Sequence, residues 1–176
     1  VCVDLDKAEK TKKFFKNEED KIYKNIKKET GISMDASDIY TAASLQKVFD
    51  KLGEKYELTE KNKQAKISNL SMKESDNPLI QSISVAREYN KAHTTFIDSI
   101  LKHQVKGRIH AEINQLKGEY GGTVSGRLSM NNPNLQQVPS RNEIIGPKIR
   151  SLFLPENKEK WVSLDYSQQE PRLLVH

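Results

Sequence analysis

Near its C-terminus the sequence reads Leu164-Asp165-Tyr166-Ser167-Gln168-Gln169-Glu170, an apolar run that delivers a carboxylate where a helix is set to begin. A carboxylate fixed at a strand end and partly removed from water is a hard oxygen ligand. It suits Mg²⁺, which takes a carboxylate or two together with substrate phosphates. The same residue types also make turns and helix caps, because Asp and Ser side chains bond readily to nearby backbone amides. A second cluster lies upstream, where Lys61, Lys63 and Lys66 stand among Asn62, Ser68 and Asn69. These cations and short donors can grip phosphates without reading bases. Aromatic residues are scarce there, which argues against stacking on single-stranded bases. A solvated polar loop has the same composition, so the reading rests on the group and not on any one lysine.

The chain has 176 residues, enough for one domain of ordinary size or two small ones. Hydrophobic residues make up 35%, charged residues 30%, and the mean hydropathy is −0.74, which leaves a thin core. No stretch approaches the roughly eighteen uninterrupted apolar residues of a membrane span, so no membrane partner is expected. No basic-then-apolar leader opens the sequence. Cys2 is alone and cannot form an internal disulfide, and no Cys/His cluster suggests zinc. A reducing, cytoplasmic setting follows as the expectation. Lys and Arg total 29 against 24 Asp and Glu, a net +5 that permits a polyanion partner without demanding one.

From Asp4 to about Thr30, Leu5, Ala8, Phe15, Ile22 and Ile26 recur at spacings that share one helix face. Asp6 and Glu9 have the spacing of a capping box, and Gly31 is placed to stop the helix. Ser44 opens a shorter helix that Gly53 ends. After a polar stretch, Asn77-Pro78 begins a second long helix through Ile80, Ile83, Ala86, Tyr89, Ala92, Phe96 and Ile100. The two long helices are expected to run antiparallel, joined by a polar tip.

Near Gly107 the pattern changes. Arg108 to Gln115 alternates weakly, Thr123 to Met130 can be extended, and Asn131 to Pro139 has the composition of a loop. Ile149–Leu154 and Trp161–Leu164 are β-prone runs that predict a hairpin ending at Asp165. Ser167 and Glu170 are spaced to cap a final helix, which has hardly begun at His176, so the C-terminus reads as cut. The fold class is therefore α+β, with long helices followed by the start of an antiparallel sheet.

Several motifs occur in one order: Ser125-Gly126-Arg127-Leu128-Ser129, Asn132-Pro133-Asn134-Leu135-Gln136-Gln137-Val138-Pro139, Arg141-Asn142-Glu143, Ile149-Arg150 and Asp165-Tyr166-Ser167-Gln168-Gln169-Glu170-Pro171-Arg172. In this order and spacing the chain closely resembles family A DNA polymerases, of the bacterial polymerase I and phage replicative type. The specific resemblance covers about residues 107–176 and implies the N-terminal part of a palm subdomain. More weakly, residues 1–106 resemble the family's helical thumb.

The resemblance implies a role for each matching residue. Asp165 matches the first metal-binding aspartate and Tyr166 the residue whose backbone carbonyl joins it, at a site for two Mg²⁺ ions. Glu170 matches the glutamate that packs under the incoming sugar and disfavours a 2′-hydroxyl. Arg127 matches the arginine that reaches the minor groove at the primer terminus, where every base pair presents an acceptor. Asn134, Gln136, Gln168 and Arg172 match positions that line the template-primer or support the site. Lys61, Lys63 and Lys66 would sit at the thumb tip, facing phosphates. Gln169 and Pro171 depart from the common Ile and Leu; Pro171 lacks an N–H and is expected to distort the first helical turn.

Primer-template DNA and deoxynucleoside triphosphate are the implied partners, and DNA-directed DNA polymerisation the parent activity. The family's fingers helix and its His-Asp-Glu turn do not occur in these residues. The isolated chain is therefore expected to be inactive. The alternatives are one half of a split polymerase, whose partner is a second polymerase fragment, and a non-catalytic duplex-binding module.

Overall fold

A computed structural model describes residues 1–60, 64–119, 121–140 and 142–176. Lys61, Asn62 and Lys63 of the polar cluster, and Arg141, lie outside the described residues. A short strand β1 (Cys2–Val3) leads into the long helix α1 (Leu5–Thr30), capped by Asp4, whose carboxylate accepts from the Lys7 N–H at 2.9 Å. The expected Asp6/Glu9 box is not the cap, and the reason is tertiary. The Val3 N–H donates to Gly107 and the Asp4 N–H to Leu152, both at 2.9 Å, so the sheet keeps the chain extended as far as Asp4. At the other end Gly31 takes φ 76°, a left-handed conformation that favours glycine, and its N–H bonds to the Lys27 carbonyl at 2.8 Å.

Helix α2 (Ala42–Leu52) begins before the expected Ser44. The Ser44 hydroxyl instead donates to Asp38 at 2.7 Å, in a 3₁₀ turn (Asp38–Tyr40) that leads into the helix. The tip is a hairpin of β2 (Glu57–Leu58) and β3 (Ala65–Lys66), followed by α3 (Asn69–Lys73). Asn77 then caps α4 (Pro78–Lys91), accepting from the Leu79 N–H at 3.0 Å, with Pro78 first in the helix where no intrahelical donor is needed. A π-helical turn (Ala92–Ile97) carries α4 into α5 (Asp98–His103).

That π turn shifts the buried face. It accommodates one extra residue in the helical repeat, so Ile97 is fully buried, whereas the expected inward residue Phe96 is only partly buried. Helices α1 and α4–α5 run antiparallel: Lys12 pairs with Asp98 at 2.6 Å, and further along α1 Glu19 meets Asn90 at 3.0 Å. One core gathers Ile26, Met34, Ile39, Leu45, Val48, Ile80 and Ile83 toward the tip. The other gathers Val3, Ala8, Phe15, Ile97, Ile100, Ile109, Ile149 and Leu152 at the base, from either side of residue 106. Burying one such large side chain stabilises by about 1.5–3 kcal/mol, and these two clusters hold the helices together.

The base carries an antiparallel sheet in the order β4 (Gln104–Val105), β5 (Arg108–Ile109), β1, β8 (Phe153–Leu154). β4 and β5 are joined through Lys106-Gly107, both at positive φ (51° and 74°), the geometry whose twist suits a two-residue hairpin. A separate hairpin pairs β6 (Glu112–Asn114) with β7 (Ser129–Asn131), Ile113 opposite Met130. Most of the run expected to be extended, Thr123 to Leu128, is therefore loop.

The expected hairpin of Ile149–Leu154 with Trp161–Leu164 does not form. Ile149 is buried in helix α6 (Ile145–Arg150), β8 pairs with β1, and Trp161 to Tyr166 form no strand. Trp161 is 61%, Val162 75% and Leu164 91% exposed, so this run has neither a ladder nor a covered face to make its β propensity count. Asp165 consequently follows an exposed segment without regular structure and does not tip a β-ribbon.

Candidate functional site

Helix α7 (Gln169–Val175) starts from Gln168, which is left-handed at φ 53° and makes no side-chain cap. The expected Ser167/Glu170 cap is absent because Glu170 points elsewhere, forming an ion pair with Arg127. With Gln168 as the preceding residue, Pro171 is third in the helix. Its missing N–H belongs to a first turn that has no intrahelical acceptor, so the expected distortion does not arise from a lost bond.

Arg127 is presented by a tight loop. Gly126 takes φ 74°, and the Thr123 hydroxyl donates to the Arg127 carbonyl at 2.7 Å. Beside it, the Gln136 amide donates to the Leu128 carbonyl at 3.0 Å, and the Asn134 carboxamide oxygen accepts from the Gln136 N–H at 3.1 Å in a 3₁₀ turn (Leu135–Gln137). Arg127, Glu170, Asn134 and Gln136 thus belong to one bonded neighbourhood, with Asn134 and Gln136 exposed. Asp165, Tyr166, Gln168 and Arg172 are exposed on the neighbouring segment. Lys66 lies at the far tip, in an exposed pair with Glu57 at 3.3 Å, a contact that adds little stability.

Among the described residues, no three or more His, Cys, Asp or Glu side chains gather as a metal cluster. The Asp165 carboxylate and the Tyr166 carbonyl are hard oxygens, the right chemistry for Mg²⁺. As a donor set they fit one side of such a site and leave the other ligands to water, phosphate or further residues.

A buried polar cluster escaped sequence reasoning. Glu19, 3% exposed, lies 2.5 Å from His93 Nε2, accepts from the Asn90 amide at 3.0 Å and bonds the Tyr23 hydroxyl. The signal was present, since Glu19 stands between Phe15, Ile22 and Ile26 on the apolar face of α1. Burial, reinforced by the bond to Glu19, pushes the Tyr23 phenol well above its ordinary value near 10. The folded state therefore retains a proton that the unfolded chain loses, and stability should decline as pH rises beyond about 10. Tyr40 and Tyr89, raised by burial, act in the same direction. Tyr23→Phe is expected to flatten part of that decline in urea midpoints taken between about pH 9 and 11; an unchanged slope would contradict it.

The sequence model of DNA polymerase family A matches residues 5–176. The chain belongs to DNA polymerase family A. It is 32% identical over 183 residues to the DNA-directed DNA polymerase of Pseudomonas phage M6, covering 100% of this chain and 27% of that protein. It is 42% identical over 100 residues to DNA polymerase DpoZ of Vibrio phage phiVC8, covering 56% of this chain and 16% of the relative. Among solved structures, the POL domain of Pol1 from M. smegmatis, in complex with DNA primer-template and dNTP, matches with a TM-score of 0.70 at 25% identity. That match covers 87% of this chain and 26% of the other. The chain thus spans about a quarter or less of the length of these relatives.

Proposed function

We propose that this chain supplies the thumb (residues 1–106) and the first part of the palm (residues 107–176) of a DNA-directed DNA polymerase. It grips primer-template duplex and contributes to the site of nucleotidyl transfer. The observation that carries this reading is the Arg127–Glu170 ion pair, which joins two of the ordered motifs across 43 residues of sequence.

Asp165 and the Tyr166 carbonyl would hold Mg²⁺ together with triphosphate oxygens and further ligands. The chemistry those ions would supply there is activation of the primer 3′ oxygen and stabilisation of the leaving pyrophosphate. Arg127 reaches minor-groove acceptors that every base pair presents, and so tests pair geometry without reading sequence. Glu170 fills the space beneath the incoming sugar. Asn134, Gln136, Gln168 and Arg172 line the duplex, and Lys66 faces phosphates at the tip; the sequence reading gives Lys61 and Lys63 the same role. One carboxylate holds Mg²⁺ weakly, so the 176 residues by themselves add no nucleotides. The exposed side chains of Leu164, Leu173, Leu174 and Val175 offer apolar surface to further polymerase residues, in the same chain or in a second fragment.

Anisotropy of a fluorescein-labelled primer-template duplex tests the grip. Affinity should fall with salt at a log–log slope of about −0.9 per phosphate contact, and a flat response would refute duplex binding. A non-catalytic duplex-binding module would give the same slope. The two part company at Asp165, whose replacement matters only to an enzyme.

A further inference from the structure

Glu88 on α4 faces two other elements at once. One carboxylate oxygen accepts from Lys73 at the end of α3, at 2.6 Å, and the other accepts from the Asn142 side-chain amide, also at 2.6 Å. The Asn142 side-chain oxygen is committed as well. It accepts the Ile144 and Ile145 N–H groups at 2.9 and 2.7 Å and so closes the first turn of α6. An Asn amide can satisfy all of these only in one orientation, with its nitrogen toward a strong acceptor and its oxygen toward the helix. Glu88 supplies that acceptor.

The segment from Asn134 to Ser140 lies just before Asn142 in the sequence. Leu135 and Val138 pack on the base core, and the Pro139 carbonyl accepts from the Arg150 guanidinium at 3.0 Å. The Glu88–Asn142 bond therefore ties Asn142, close to the segment bearing Asn134 and Gln136, to the long return helix, across a cleft of about 620 Å³ lined by Glu88, Lys91, Phe96, Val138 and Asn142.

We propose that Glu88 is a positioning residue: by orienting the Asn142 amide it anchors Asn142 against α4, close to the 134–140 segment, so that Asn134 and Gln136 meet the duplex from a rigid base. This rests on the duplex-binding reading above, deepens it, and requires no contact between Glu88 and DNA. Lys73 neutralises the carboxylate without holding Asn142.

The test is a polarity swap in the 176-residue chain. Glu88→Ala removes the acceptor and should weaken binding of the labelled duplex about tenfold, as loss of a charge-assisted hydrogen bond does. Asn142→Asp keeps the α6 cap but sets carboxylate against carboxylate, and should weaken binding similarly. Glu88→Gln combined with Asn142→Asp rebuilds the bond with donor and acceptor exchanged, and should restore affinity. Lys73→Ala should stay within about twofold, since an exposed ion pair contributes little. Hydrogen exchange of the Ile144 and Ile145 amides is read in parallel: faster in Glu88→Ala, protected again in the double variant. A wild-type chain that binds duplex while Glu88→Ala binds equally well would overturn the proposal. If the wild type binds no duplex, the functional reading fails instead. The exchange data then decide on Glu88, with unchanged protection in Glu88→Ala rejecting its hold on Asn142.

Discussion

In a chimera that carries residues 1–176 in place of the matching segment of the Pseudomonas phage M6 polymerase, Asp165→Ala is expected to abolish primer extension. On the proposed metal-holding role the loss should be about 10³-fold or more, because a metal ligand contributes several kcal/mol to stabilising developing charge and each 1.4 kcal/mol is about tenfold in rate. Duplex affinity should stay within about twofold, since Asp165 is an anion and grips no phosphate. The exposed position of Asp165 makes this separation clean: no buried partner is left unsatisfied and no cavity opens, so stability should not change. Single-turnover extension and anisotropy on the same preparation check both halves. Extension at the parental rate would remove Asp165 from the site.

The second large effect is on folding. Glu19→Ala should cost about 3–5 kcal/mol in urea unfolding, a large fraction of the stability of a domain this size. The carboxylate is the shared acceptor for the Asn90 amide, the Tyr23 hydroxyl and His93 Nε2, in the seam where α1 meets α4 and the π turn that follows it. Its removal leaves those three polar groups without their shared partner. Glu19→Gln keeps an acceptor oxygen and should cost clearly less. A Glu19→Ala chain within about 1 kcal/mol of the parent would mean that water enters the seam and takes over those bonds.

What could be read in the sequence was local chemistry. Gly31 and Gly53 stop helices because a left-handed residue must follow the last turn, and Asn77-Pro78 starts one because cap and proline need only their neighbours. The apolar stripes of α1 and α4 were legible for the same reason, up to the π turn, which displaces Phe96 in favour of Ile97. What depended on a partner was not. Trp161–Leu164 has strand-like residues but no strand beside it, and Asp6 yields its capping role to Asp4 because the sheet reaches that far.

The candidate site divides in the same way. The order of its motifs was visible along the chain and led to the family, as the match over residues 5–176 shows. That Arg127 would seize Glu170, and that Gln136 would brace the Leu128 carbonyl, depends on loop geometry that no spacing rule contains. Glu19 was readable as an anomaly, a carboxylate in an apolar stripe. Its partner His93 was not, because the π turn determines which side of the helix residue 93 faces.

Strand β1 has a consequence for synthesis. Cys2 and Val3 are made before every strand they pair with, yet they form the inner strand of the base sheet, beside Arg108 on one side and Phe153 and Leu154 on the other. The helices from α1 to α5 can dock while translation continues, with their N-terminal end still unpaired. The sheet closes only after Leu154 has emerged, so its long-range contacts form later and more slowly than the local packing of these helices.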